Sequence, residues 1–156
     1  MGKRIVIGSD AAAFALKDNI IEYLESLGHE VTDVGKKTRD DGLTYVDAGI
    51  YVAKAVQSGE YDAAIGLCGT GMGISQVLNS FKGVKAALVE SKYTARRSRE
   101  INDANVLVMG GFVVTPQIAR EMVDEFLGTE FLSGFEGPLK EELDREMKRV
   151  ETLGQE

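Results

Sequence analysis

The only cysteine of the chain, Cys68, closes an apolar run and opens a glycine-spaced segment, residues 65–74, IGLCGTGMGI. Two readings of its thiol stand side by side. A buried cysteine packs as a small hydrophobe. A thiol placed where a strand yields to a helix lies instead beside exposed backbone N–H groups, which stabilise the thiolate and make it a better base or nucleophile. Gly69, Gly71 and Gly73 allow the backbone to approach a ligand closely or to adopt positive φ. A loop of that kind binds anions or developing negative charge. The spacing GTGMG is neither G-x-G-x-x-G nor a P-loop and no lysine follows it, so it does not support a dinucleotide or nucleoside-triphosphate site.

Other chemistry is narrowly bounded. His29 is the only histidine, so histidine-rich metal sites and any Ser-His or Cys-His pairing would rest on it alone. It falls in LGHEV, at a helix-to-strand turn, where a solvated turn residue is expected. A net charge of −7 argues against a nucleic-acid partner, which requires a basic face. No apolar run approaches the roughly 20 residues of a membrane helix. A single cysteine forms no intramolecular disulfide, and KRIVIGSD follows the N-terminus without an apolar leader, so the cytoplasm is the expected compartment. The reading calls for a small soluble ligand, without metal or cofactor.

The elements that must position Cys68 follow from periodicity. Residues 4–10, 30–35, 62–69, 84–90 and 104–111 are short runs rich in Val, Ile, Leu and Ala without clean alternation, as in buried parallel strands. Between them, Phe14, Leu16, Ile20, Ile21, Leu24 and Leu27 recur at helical spacing up to Gly28, and residues 48–56, 74–81 and 116–126 repeat the pattern. With 156 residues and 44% hydrophobic content, one domain is expected. Its predicted class is α/β: a Rossmann-like three-layer αβα sandwich with a five-stranded parallel sheet and an extra C-terminal helix. Ligands of such sheets bind beyond the carboxyl ends of the strands, where Asp10, Cys68 and Gly110-Gly111 all fall. The domain proper spans residues 1–136. Residues 137–156 form a helical extension of it, with Leu139, Leu143, Met147 and Val150 on one face and Lys140, Arg145, Lys148 and Arg149 among acidic residues on the other.

GSDAAAFALKD after the first strand, CGTGMGIS after the third, and YTARRSREINDANVLVMGG through the fourth helix and fifth strand together resemble the type B ribose-5-phosphate isomerases. That family also holds the galactose-6-phosphate isomerase subunits. The resemblance runs from about Arg4 to about Glu136, with a looser echo in the tail. It implies a metal-free aldose–ketose isomerase of Rossmann-like fold, a homodimer or tetramer whose sites are shared between subunits, acting on a sugar or sugar phosphate through a cis-enediolate. Cys68 then matches the base that moves a proton between C1 and C2. Thr70 and the amides of Gly69, Gly71 and Gly73 match the loop that holds the enediolate oxygens. Asp10 matches an aspartate that orients substrate hydroxyls, and Asn102 an asparagine reaching in from the neighbouring subunit. Tyr45, in TYVD, matches the tyrosine of a Tyr-Pro-Asp segment, with Val46 in place of proline. From local sequence alone, a helix cap explains Asp10 and a turn explains Asn102 equally well.

The departures cluster by role. Asp-His-Ala-Gly is here Asp10-Ala11-Ala12-Ala13, Arg-Glu-His-Asn is Arg99-Glu100-Ile101-Asn102, and Gly-Gly-Arg is Gly110-Gly111-Phe112. The group that would open a furanose ring and part of the phosphate-binding set are therefore replaced, whereas the proton-transfer cysteine stays. Arg145, Lys148 and Arg149 are the remaining candidates for binding a phosphate, on the tail helix that is expected to pack on a partner subunit. The expected activity is isomerisation of a small open-chain sugar of tetrose or pentose type. A galactose-6-phosphate or other hexose isomerase, a non-catalytic subunit of a hetero-oligomeric isomerase, and a flavin- or nucleotide-binding protein of flavodoxin-like architecture are the alternatives.

Overall fold

The computed structural model describes residues 2–35, 37–38 and 40–153. Five strands, β1 (Arg4–Ser9), β2 (Glu30–Asp33), β3 (Ala63–Cys68), β4 (Ala86–Leu88) and β5 (Val106–Gly110), form one parallel sheet in the order β2-β1-β3-β5-β4. The helices are α1 (Phe14–Ser26), α2 (Tyr45–Ser58), α3 (Met72–Leu78), α4 (Lys92–Glu100), α5 (Pro116–Gly128) and α6 (Gly137–Thr152). The predicted three-layer architecture is the one observed. After β2 the chain returns to the other side of β1, so the switch in strand order falls between β1 and β3, where Asp10 and Cys68 sit.

Alternation along the strands sorts the core into two layers. Ile5, Ile7, Ile65, Leu67, Leu107 and Met109 face α1, α4 and α5, while Val6, Ala64, Cys68, Val106 and Val108 face α2 and α3. Cys68 thus points to the α2/α3 side. Small residues bring that side close: a Cβ on Gly66 would lie 2.9 Å from Leu78 Cδ1, and one on Gly49 would lie 2.7 Å from Val77 Cγ1.

Some boundaries move. The edge strand β4 is shorter than the predicted 84–90, and α2 starts at Tyr45 rather than at 48 because Thr44 and Asp47 form a capping box. In that box the Thr44 N–H donates to Asp47 Oδ2 at 2.9 Å, and the Asp47 N–H donates to Thr44 Oγ1 at 3.3 Å. His29 is half-buried, and its Nδ1 accepts the Lys3 N–H at 3.0 Å, so it braces the start of the sheet instead of facing solvent freely. The tail helix α6 buries only Met147 against the rest of the chain.

One buried charge was not apparent in the sequence. Lys17 of α1 is fully buried, its Nζ lies 2.5 Å from Asp33 Oδ2 and 4.9 Å from the centre of the Phe14 ring, and Asp33 ends β2. A buried ammonium depends on its carboxylate far more than the pair contributes as a whole. Asp33→Asn is therefore expected to lower stability by about 3 kcal/mol in urea denaturation. Lys17→Met, which removes the charge needing a partner, should cost less.

Candidate functional site

The site is built on a seam between two loops at the carboxyl edge of the sheet. Cys68 pairs in register with Gly110 across β3 and β5. Beyond that pair, the Gly111 N–H donates to the Cys68 carbonyl and the Phe112 N–H to the Gly69 carbonyl, both at 2.9 Å. Side chains have no room here: a Cβ on Gly110 would lie 2.7 Å from the Thr70 carbonyl carbon, and one on Gly111 2.9 Å from Ala13 Cα. The turn that follows β1 is thereby packed against the loop that follows β5.

Cys68 is at once packed and hydrogen-bonded. Its side chain belongs to the α2/α3 core layer and the residue is only 4% exposed, yet its Sγ accepts the Gly71 N–H at 3.2 Å. A sulfur held as a hydrogen-bond acceptor is placed to carry negative charge. Gly71 takes φ +80° to cap α3, and a side chain there would also meet Leu88 Cδ1 at 2.5 Å. The amide of Gly71 is thus turned to the sulfur. Thr70 is exposed, and its Oγ1 accepts the Met72 N–H at 3.3 Å. Gly73, second residue of α3, keeps an N–H that no helical carbonyl reaches.

Tyr45 and Asp10 flank this loop. The Tyr45 ring lies over Gly73 so closely that a Cβ there would sit 2.7 Å from Cε2. Asp10 Oδ1 accepts the Ala13 N–H at 3.2 Å, closing the turn 10–13 as a cap would, and Ala12 of that turn faces Gly69. On the same side stands Phe112. The residue is 78% exposed and its ring would be 2.9 Å from a Cβ on Gly69, which leaves an aromatic wall beside the thiol loop.

Asn102 is not among these residues. It follows α4 and lines a cleft of about 960 Å³ with Asn79, Lys85, Met147 and Glu151, near the start of β4. Ala86 is level with Val106, four residues before Gly110 in β5. At about 3.3 Å per residue, Ala86, which lines the same cleft as Asn102, lies on the order of 13 Å along the strands from the level of Cys68 and Gly110. Arg145, Lys148 and Arg149 belong to the Asn102 end and are already paired along α6. Arg145 lies 3.6 Å and Arg149 2.8 Å from Glu146, and Lys148 lies 2.6 Å from Asp144.

The apolar period does not show the Thr44–Asp47 box, although T-x-x-D preceding an apolar run is a capping signal. The box orients Tyr45, the first residue of α2. Among the described residues no three His, Cys, Asp or Glu side chains gather as a metal site would need, and no helix is long and apolar enough to cross a membrane.

The family model described as Ribose/Galactose Isomerase matches residues 5–145. A 4-deoxy-4-sulfo-D-erythrose isomerase of Clostridium sp. (strain MSTE9) is 42% identical over 133 residues, 85% of this chain and 84% of that protein. A D-erythrulose-4-phosphate isomerase of Pectobacterium atrosepticum is 36% identical over 139 residues, 89% of this chain and 91% of the other. Among solved structures, Clostridium thermocellum ribose-5-phosphate isomerase B superposes with a TM-score of 0.88 at 38% identity, covering 97% of both chains.

The capping box yields a pH signature. Hydrogen bonds from the Thr44 backbone and then its side chain hold the Asp47 carboxyl below the usual carboxylate range. A depressed folded-state value means that this stabilisation is complete above about pH 4 and is lost as pH falls through the lowered value. Thr44→Ala should cost about 1 kcal/mol at neutral pH. Urea midpoints measured between neutrality and strong acid should fall less steeply for that variant than for the native chain.

Proposed function

The chain belongs to the ribose/galactose isomerase family, and we propose that it interconverts the aldose and ketose forms of an acyclic four-carbon sugar that ends in an anionic group. The observation that carries this reading is the Cys68 thiol, held at the strand switch point by the Gly71 amide within a glycine loop. As a thiolate, Cys68 takes the proton from C2 of the aldose; the electron pair moves into a C1–C2 double bond and O1 becomes negative. Orphan amides of the loop, that of Gly73 among them, meet the enediolate oxygens. The thiol then returns the proton to C1 while the O2 proton passes to O1, and the ketose carbonyl forms at C2 above a neutral C1 hydroxyl. Asp10 and Tyr45 orient the hydroxyls, and Thr70 lies at the mouth of the loop.

An acyclic substrate fits the titratable groups. Ring opening needs a group that gains and loses a proton near neutral pH. The only histidine, His29, is engaged by Lys3 at the amino edge of the sheet, and Ile101 cannot serve. An aldotetrose whose C4 carries phosphate or sulfonate cannot close a furanose, so it needs no such group. At the far end, Phe112 and Ala12 offer a bound dianion no counter-charge. A sulfonate, with one negative charge, suits that wall better than a phosphate, whose second ionisation lies near about pH 6.

The place of Asn102 in a cleft that none of Asp10, Tyr45, Cys68 or Phe112 lines supports a homodimer in which Asn102, with Arg145, Lys148 and Arg149 on α6, completes the site of the other subunit. Residues 137–153 are then an extension of a single domain that lies on the partner. The cytoplasm is the compartment that the lone cysteine and a sugar substrate favour.

Two measurements test this. Proton exchange at C2 in deuterated water, with D-erythrose 4-phosphate and 4-deoxy-4-sulfo-D-erythrose as probes, should fall by about 10²–10⁴-fold in Cys68→Ser. Mixing that variant with Asn102→Ala should restore part of the activity through hybrids holding one intact site. Near-native exchange in Cys68→Ser removes the thiol from the mechanism, and no recovery after verified subunit exchange removes the shared site. In the second measurement, Phe112→Arg should raise kcat/KM for the phosphate relative to the sulfonate by about tenfold or more, the worth of one charge-assisted hydrogen bond. An unchanged ratio means that Phe112 does not face the terminal group.

A further inference from the structure

The two non-glycine residues with positive φ among those described, Asp103 at 45° and Leu132 at 64°, both lie at the end of α4, the one next to Asn102 in the chain and the other bonded to Glu100. The Leu132 N–H donates to the Glu100 carbonyl at 2.9 Å, and the Ala104 N–H to the Ser98 carbonyl at 3.0 Å. Strained backbone gathered at one point marks a place where geometry is held for a purpose. A helix end that only had to turn would be served best by glycine at position 103. The chain has an aspartate there, and two cations meet its carboxylate: Lys85 Nζ on Oδ2 at 2.8 Å and Arg99 on Oδ1 at 3.2 Å.

Both cations are themselves fixed. Arg99 also donates to the Ala104 carbonyl at 2.5 Å and to the Thr129 carbonyl at 3.3 Å, and Lys85 also meets Glu151 of α6 at 3.1 Å. The Lys85 N–H is taken by Asn105 Oδ1 at 2.8 Å. In the middle of this frame Asn102 is exposed, and among the described residues no partner takes its side-chain amide. A rigid backbone therefore presents a free amide outward.

We infer that Asp103, clamped by Lys85 and Arg99, is a positioning residue that sets how Asn102 is offered to the substrate. This rests on the reading that Asn102 completes the site of a neighbouring subunit. Lys85 also carries the clamp to α6, whose Glu151 it meets at 3.1 Å. The carboxylate touches no substrate; it acts through the direction of one amide, where a displacement of about 1 Å costs on the order of 10²-fold in rate.

Asp103→Gly separates this role from a helix cap. Glycine adopts the same positive φ without strain and deletes the side chain with its carboxylate, so a mere cap leaves C2 proton exchange unchanged. The clamp predicts a fall in kcat/KM of about tenfold or more in the intact oligomer with the thermal midpoint nearly kept. Lys85→Met should act in the same direction, and Lys85→Arg should recover part of the loss. In an Asn102→Ala background, or Asn102→Ser where the alanine variant shows no measurable exchange, adding Asp103→Gly should lower exchange less than twofold. Native activity in Asp103→Gly, or the full loss repeated in the Asn102 background, overturns the clamp while leaving the role of Asn102 intact. Native activity in Asn102→Ala overturns that role and the clamp together.

Discussion

The direct contact of backbone with backbone at the carboxyl edge of the sheet is the constraint on which the site depends. Two N–H groups from 111 and 112 donate to the carbonyls of 68 and 69, and neither bond could form if Gly110 or Gly111 carried a side chain. The seam fixes the thiol loop from below. It also sets Phe112 beside Gly69 and draws the 10–13 turn inward, so that three loops of different strands meet within van der Waals distance. Packing of this kind leaves little freedom for adjustment, because main-chain atoms cannot change rotamer as a crowded side chain can.

Much of this was legible in the residues. Buried parallel strands are continuous apolar runs, so residues 62–69 and 104–111 announced β3 and β5, and the place of Cys68 at a carboxyl end followed from strand-helix alternation. Boundaries set by polar groups were harder. The start of α2 at Tyr45 depends on side-chain oxygens of Thr44 and Asp47, which leave no trace in an apolar period. The edge strand β4 shrinks because it has a neighbour on one side only, a fact of strand order and not of composition. The pair of Lys17 and Asp33 was hidden for the same reason: the sequence shows two ordinary charged residues, and only the packing of α1 on β2 encloses the ammonium.

The site residues divide along the same line. Those carried by one loop, Cys68 to Gly73, could be grouped by inspection. Those brought in by topology could not: the approach of Tyr45 to Gly73 and the remoteness of Asn102 both come from the paths of the crossovers. The tail cations illustrate a further limit. Their charge was visible, but their pairing with Asp144 and Glu146 at helical spacing makes them partly neutralised groups.

The attachment of α6 sets a timescale as well as a place. A helix of 16 residues that buries a single methionine has almost no tertiary packing of its own. Isolated helices of that length are marginal in water. Opening of α6 therefore requires little of the free energy that unfolds the sheet, and its amide protons exchange with solvent as a separate unit. Their protection is a gauge of coverage: fast exchange marks a subunit standing alone, and slow exchange marks one whose tail has found a surface.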